Sequence, residues 1–540
     1  MGMAHIHSRA MQGLHTPSVD VEVDLANGLP SFTLVGLADT EVKEARERVR
    51  AAIVNSGLVF PNNQRITVNL APADLRKDSG RFDLAIALGI LTASGQIQYR
   101  DWSGWTFAAE LSLSGQLRPV GGALATALTM ANEADERVLV LAHDNALEAA
   151  RVPHVRVAGA KHLLDVVAYL DALACPPNDP GLGSKATANP PSHAGGWSWP
   201  SPPPFQVRPQ TTHLNEVRGQ ESAKRALTIA AAGEHSVLLV GPPGSGKSML
   251  AHRFVTLLPA LNPTQALHSA AIQSLMGTFE PDRWGQRPMV SPHHSASAAA
   301  LIGGGSPPRP GAITQAHHGV LFLDELPEFN RTALEALREP LETGTIHISR
   351  ASNQAEFPAA FQLIAAMNPC PCGYWGHAQR NCHCTPDQVR RYQSRISGPL
   401  LDRIDLQIEV TAIDAAALIQ VTAPASTTGP PDDGATPAQE ASETSAASQA
   451  QAALSLALTR QGCANQRLQG NALLNQVQLS TATMQFVEQA AHKLQWSSRR
   501  VHRIMRVART IADLSGEPTV ERQHITEAMQ YQRALLSASH

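Results

Sequence analysis

A chain of 540 residues is too long for one ordinary domain and allows three or four, and 43% hydrophobic residues suffice to bury several cores. A formal net charge of −3, from 43 Lys and Arg against 46 Asp and Glu, excludes nucleic-acid binding by bulk charge, so any such contact needs a local basic patch. No apolar run approaches the ~18 residues of a membrane span. The Met1–His7 start lacks the apolar core of a secretion signal, and most of the cysteines crowd between 370 and 384 instead of spreading as a disulfide framework, so the expected compartment is the cytoplasm.

In chain order, residues 1–172 read as one α/β domain. Val19–Leu25 alternates as a strand and Phe32–Gly36 follows as another. Asp39–Ser56 carries a helical stripe of Val42, Ala45, Val49 and Ile53, with Asp39 as N-cap. Arg65–Leu70 and Arg137–Leu141 read as strands, Phe82–Ser94 as an apolar helix, and His154–Val157, just after Pro153, as a short strand. A helix ending near Leu170 closes the domain. Residues 173–212, rich in Pro and Gly, read as a linker. Residues 213–412 read as a nucleotide-binding α/β core. Residues 413–450 read as a low-complexity insert, its 422–450 part expected to be disordered. Residues 451–540 read as helices at Thr481–Gln495, Arg499–Leu514 and Val520–Leu536.

The core is organised around Gly241, Pro242, Pro243, Gly244, Ser245, Gly246, Lys247 and Ser248, between the apolar run Ser236–Val240 and the helical segment Met249–Val255. Strand, glycine-rich loop and helix in that order form a phosphate cradle. The glycines let backbone N–H groups face a polyphosphate, the helix adds its positive end, Lys247 reaches the terminal phosphates of ATP and Ser248 offers a hydroxyl to Mg²⁺. A second apolar strand, Gly319–Leu323, ends in two carboxylates. Asp324 suits the Mg²⁺ shell and Glu325 the attacking water. A third, Phe361–Met367, ends in Asn368, placed to hold that water or the γ-phosphate. Arg403, in Gly398–Asp405, suits an arginine finger given to a neighbouring subunit, or a local network with Asp402 and Asp405. Arg499, at the start of a helix, either reaches the phosphates from a mobile lid or is a solvated arginine.

Nearly end to end, apart from the linker and the insert, the chain resembles the YifB/ComM family of magnesium-chelatase-like AAA+ ATPases. The motifs that carry the likeness are Asn27–Pro30 with Val35–Leu37, Val68–Pro72, Pro292–His294, Gly303–Gly305, Gly319–Pro327, Asn368–Gly373 and Val507–Asp513. The resemblance implies a multidomain α/β protein: a Lon-protease/S5-like α/β domain, an AAA+ P-loop core and a C-terminal helical lid. It implies a Walker A at Gly241–Ser248, a Walker B at Asp324 and Glu325, a sensor 1 at Asn368, a finger at Arg403 and a sensor 2 at Arg499. It further implies a homo-hexameric ring with ATP at each subunit interface, and a role as a DNA branch-migration helicase in natural transformation and recombination.

Cys370, Cys372, Cys382 and Cys384 form two C-x-C knuckles that can close a tetrahedral Zn²⁺ site, with free structural thiols or redox sensing as the other readings. For contact with single-stranded or branched DNA, the alternating stretch Gly344–Pro358 suits a β-hairpin carrying Arg350 near its tip. The stretch 275–305, with Arg283 and Arg287, and the series Arg499, Arg500, Arg503, Arg506 and Arg509 are further basic candidates, the last of them also suiting a solvated or subunit-contacting face. His293 and His294 read as turn or core residues. In the first domain Arg81 stands where a Lon-type nucleophile is expected, so Ser79 with Lys77 makes a weak peptidase dyad, and a docking or DNA-contact module is preferred. A chelatase motor subunit and a chaperone-like ATP switch remain competing functions.

Overall fold

In the computed structural model the described residues are 2–36, 40–75, 77, 80–174, 195–207, 214–305, 308–350, 353–377, 380–411 and 438–532. The strand Ser18–Ala26 alternates strictly, with Val19, Val21, Val23 and Leu25 buried and Asp20 and Asp24 exposed. It sits inside a four-stranded sheet ordered Gly2–Arg9, Ser18–Ala26, Arg65–Ala71, Ser31–Val35, antiparallel except for the last pair. The helix Asp83–Ala93 is apolar all round because it is buried all round beneath that sheet. Its Gly89 is obligatory for the approach: a Cβ there would lie 2.5 Å from Val23 Cγ2. A second, parallel sheet of Trp105–Ala108, Val138–Ala142 and Val157–Ala160 is buried at every position.

The last of these strands begins where the expected His154–Val157 strand ends. His154 takes a left-handed φ of 64°, so the chain is still turning after Pro153. The Gly2–Arg9 strand has no counterpart in the sequence reading. The helix Thr40–Asn55 occupies the expected span, while Asp39 lies outside the described residues. The described part of the expected linker does more than span. Ser198 exchanges both backbone hydrogen bonds with Gly159, at 2.8 and 2.9 Å, and Trp197 stacks on Tyr169 at 4.0 Å between ring centroids.

The core domain carries a five-stranded, all-parallel sheet ordered Met289–Val290, Val320–Leu323, Gln362–Met367, Val237–Val240, Leu406–Glu409. Its three central strands are buried at every residue, which is why they read as unbroken apolar runs. Val237, Leu239, Phe322 and Ile364 face one core, while Leu238, Val240, Leu323 and Met367 face the other. The first core also receives the helices Ala438–Gln461 and Ser498–Leu514.

The helix Ala438–Gln461 corrects the expectation of disorder through 450. Alanine-rich sequence has high helix propensity, and Ala450, Ala453, Leu454 and Ala457 give this one a face to bury. The remainder of the insert, 413–437, lies outside the described residues. Of the other C-terminal helices, Thr481–Lys493 and Arg522–Gln530 fall within the expected spans, while Gly470–Val477 lies outside them. The first domain meets the core through Ala123–Asn132 and Pro263–Met276, which pack Ala123, Ala127 and Met130 against Leu267, Ala270 and Ala271.

Candidate nucleotide site and cysteine cluster

In an open parallel sheet, ligands bind outside the carboxyl ends of the strands. Three ends converge here: Val240 runs into the glycine-rich loop, Leu323 into Asp324 and Glu325, and Met367 into Asn368. A Cβ on Gly241 would lie 2.2 Å from Val410 O, so only glycine lets the loop leave its strand beside that neighbour. Gly244 and Gly246 take φ of 77° and 88°, and nothing lies within 4 Å of where their Cβ atoms would be. The loop is therefore bare on its outer side and feeds the helix Lys247–Phe254.

Pro243 to Met249, Asp324, Glu325, Met367 and Asn368 line a cavity of about 410 Å³. Lys247 Nζ donates to the Gly241 and Pro242 carbonyls at 2.8 Å each and to Asn368 Oδ1 at 3.2 Å. Burial lowers the Lys247 pKa, and the charges of Asp324 and Glu325 pull it back up. Ser248 Oγ donates to Asp324 Oδ2 at 2.6 Å, and the Glu325 amide donates to Asp324 Oδ1 at 2.9 Å. Glu325 itself holds a left-handed φ of 53°, turning its side chain off the line of the strand. Ser245 Oγ is buried without a hydrogen-bond partner. A bare cradle, an orphaned buried hydroxyl and a cation bonded only to carbonyl and amide oxygens suit an anionic polyphosphate. Ser248 with Asp324 forms a hard-oxygen pair suited to Mg²⁺.

His294 belongs to this site although the sequence reading left it out. Its Nδ1 lies 3.1 Å from Glu325 Oε2. The pointer was its place four residues after Val290, on the strand beside Val320–Leu323. Behind Asn368, burial and then the charge of Glu328 push the Tyr392 hydroxyl up to about 12.

Arg403 and Arg499 do not line the cavity. Arg403 is paired with Glu342 and donates to Pro399 O at 2.6 Å, so the alternative network with Asp402 and Asp405 does not form. Those acids serve others: Asp402 pairs with Arg503, and Asp405 with His235 and Arg506. Arg499 is exposed and, among the described residues, has no hydrogen-bond or ion-pair partner. Its neighbours correct the idea of a basic face. Arg503 is buried on the Leu401 and Ile404 carbonyls, Arg506 bonds Gln466 O, and Arg509 bonds Asp513, Glu517 O and Pro518 O. Arg287 is likewise spent on the Pro259 and His318 carbonyls. These guanidinia bind backbone oxygens that the loops leave unpaired, which a reading of spacing alone does not reveal.

The expected hairpin is present: Thr345–Arg350 pairs antiparallel with Asn353–Pro358. The Arg350 side chain lies outside the described residues. So does Ser79, while Lys77 is buried and bonded to Pro72 O, and Arg81 is buried on the Arg9 and Gly121 carbonyls. The four cysteines of the two knuckles come together, with every Sγ within 4.8 Å of the others and no disulfide among them.

Three family descriptions match the chain: "Magnesium chelatase, subunit ChlI" over residues 213–418, "Subunit ChlI of Mg-chelatase" over 21–145, and "Magnesium chelatase, subunit ChlI C-terminal" over 439–532. Competence protein ComM of Haemophilus influenzae is 43% identical over 98% of this chain and 97% of its own length. The chain belongs to the ComM/YifB family of magnesium-chelatase-like AAA+ proteins. YifB of Salmonella typhimurium is also 43% identical, over 98% of this chain and 97% of its own length. Lon protease 2 of Bacillus subtilis is similar over a shorter stretch, 28% identical over 31% of this chain and 34% of its own. As a member of the ComM/YifB family the chain is an ATPase motor of AAA+ type that uses ATP and Mg²⁺. Among the described residues no helix is long and apolar enough to cross a membrane.

Proposed function

We propose that the chain is a ring-forming, cytoplasmic AAA+ ATPase, a homo-hexamer that couples ATP hydrolysis to DNA remodelling as a branch-migration helicase. The observation that carries this reading is the convergence of Lys247, Ser248, Asp324, Glu325 and Asn368 on one cavity from which Arg403 and Arg499 are missing. A site with a cradle, a base and no arginine is half a site, and a neighbouring subunit can supply the rest. The domain division at 172, 212 and 412 belongs to the same reading, with the C-terminal helical part beginning at Ala438 instead of after 450.

Bound ATP meets the backbone N–H groups of Gly244–Ser248, and Lys247 Nζ turns from its own loop carbonyls to the terminal phosphates. Ser248 and Asp324 would hold Mg²⁺, which when bound neutralises charge on the β- and γ-phosphates. Glu325 accepts a proton from the attacking water while His294 holds its other oxygen. Asn368, released by Lys247, orients that water or the γ-phosphate. Arg403, freed from Glu342, reaches the phosphates of the adjacent subunit. The Thr345–Pro358 hairpin is the element offered to DNA in the channel. The four cysteines would hold a structural Zn²⁺ that contacts neither the phosphates nor the attacking water.

The name ComM, a competence protein, favours DNA as the partner, whereas the chelatase family descriptions favour a motor acting on a porphyrin complex. ATPase rates with forked DNA, a four-way junction, a porphyrin or a denatured protein separate the two and also test a chaperone-like switch. Stimulation by junction DNA alone is expected, and stimulation by porphyrin or denatured protein without any response to DNA would overturn the reading.

A further inference from the structure

The segment after Asn368 lies against the phosphate loop. Gly373 has a left-handed φ of 84°, and a Cβ there would sit 2.5 Å from Pro243 Cδ and 2.7 Å from Cγ. The turn between them is closed by the Gly373 amide donating to Cys370 O at 3.0 Å. At its start Pro369 O accepts from Gln393 Nε2, also at 3.0 Å, and Asn368 reaches Lys247. The Asn368–Gly373 corner therefore touches the cradle at both its ends, and it carries Cys370 and Cys372.

Those two thiols meet Cys382 in a tight triangle, with Sγ–Sγ distances of 3.3 Å for 370–372, 3.7 Å for 370–382 and 3.5 Å for 372–382, and Cys384 joins within 4.8 Å. Tetrahedral zinc with Zn–S bonds of about 2.3 Å holds its sulfurs about 3.8 Å apart, close to this arrangement. Backbone amides point at the sulfurs, Trp375 N to Cys370 Sγ at 3.3 Å and Cys384 N to Cys382 Sγ at 3.4 Å, as thiolate ligands require of the groups around them. Cys370, on the corner itself, is fully buried, and the other three are half-buried.

We propose that Cys370, Cys372, Cys382 and Cys384 bind one Zn²⁺ per chain and that this ion clamps the Asn368–Gly373 corner onto Pro243, so that ATP binding and turnover depend on metal occupancy. The coupling rests on reading the phosphate loop as the ATP site. The ion touches no phosphate. It acts by fixing Asn368 and the back of the cradle, where a misplacement of about 1 Å is enough to cost roughly 10²-fold in rate.

The test uses the purified full-length chain. Elemental analysis should find about one zinc per chain, released on mercurial titration of four thiols. Replacement by Co²⁺ should give the intense thiolate-to-cobalt absorption of a tetrahedral sulfur site. Cys382→Ser with Cys384→Ser should lose the metal and weaken binding of a fluorescent ATP analogue about tenfold or more. Because that variant can also misfold locally, Gly373→Ala is the second arm. It keeps all four thiols and the zinc, yet drives a methyl into Pro243, and should weaken nucleotide binding while metal content stays unchanged.

Absence of zinc with four freely titrating thiols overturns the site. Full zinc, with stripped chain and Gly373→Ala both binding and hydrolysing ATP as the native chain does, overturns the coupling. Failure of the native, zinc-loaded chain to bind ATP at all would sink the reading of the phosphate loop and the coupling with it, and the metal analysis would show that outcome to be separate from failure of the zinc site.

Discussion

His294 Nδ1 stands 3.1 Å from Oε2 of Glu325, a carboxylate that lines the nucleotide cavity, and both side chains are partly exposed. An exposed pair of this kind contributes at most about 1 kcal/mol to stability, so its value lies in where it holds the carboxylate. Glu325 already has a left-handed backbone that turns it off its strand, and His294 fixes the remaining freedom of the side chain. His294→Ala should therefore leave thermal stability and the KM for ATP nearly unchanged while lowering kcat about tenfold, less than the roughly 10²-fold or more that loss of a general base costs, because His294 only orients the base. Steady-state kinetics decide it, and an equal rise in KM with kcat intact would assign His294 to binding instead.

Lys247 and Glu325 should separate cleanly. Lys247 is the buried cation of the cradle, and a charge-assisted hydrogen bond is worth about 1.5–3 kcal/mol, so Lys247→Ala should cost about 10- to 100-fold in ATP affinity. Glu325→Gln keeps the shape and an acceptor but removes the base. It should bind ATP as tightly as the native chain and hydrolyse it at least about 10²-fold more slowly. Equilibrium binding and single-turnover hydrolysis on both variants check the assignment. Retained hydrolysis in either one contradicts it.

Much of this site was legible because its chemistry is local. The loop Gly241–Ser248, the acids at 324 and 325 and the amide at 368 each end an apolar run, and a parallel sheet brings such ends together. What depends on tertiary partners was not legible. Arg503 and Arg287 look like surface cations in sequence, but each satisfies two carbonyls inside the fold. Gly373 reads as an ordinary turn glycine, and its contact with Pro243 exists only because two strands lie side by side. The Ala438–Gln461 helix was hidden in composition, since alanine and serine read as disorder until a hydrophobic face finds a core.

His317 and His318 precede the central strand Val320–Leu323, and His317 Nδ1 accepts from the Ala360 amide at 3.1 Å. Burial, together with the neighbouring histidines and Arg467, pushes them down to about 3 and about 4. Both are held neutral in the folded chain. Above about 6.5 neither state takes a proton and the stabilisation is whole. Between there and the depressed folded values the unfolded chain binds more protons, so stability falls as pH falls. Denaturant unfolding from pH 7.5 to 5 should show this loss, and His317→Asn with His318→Asn should flatten the slope. An unchanged slope would show that other groups carry the acid sensitivity.

Arg403 is the sharpest test of a shared site. In the single chain it is tied to Glu342 and stands off the cavity, so it cannot help hydrolyse the ATP bound by its own loop without leaving that pair. If it serves the neighbouring subunit, Arg403→Ala should bind ATP normally yet lose about 10³-fold or more in turnover, as removal of an arginine finger does. Lys247→Ala fails for the opposite reason, having an intact Arg403 and no cradle. Mixing the two inactive variants before assembly should restore part of the ATPase, because some interfaces would then pair an intact cradle with an intact Arg403. The recovery should vanish under dilution that breaks the assembly, measured by light scattering on the same samples. Two inactive variants that remain inactive in a mixed assembly would return Arg403 to a structural tie with Glu342 and leave the site complete within one chain.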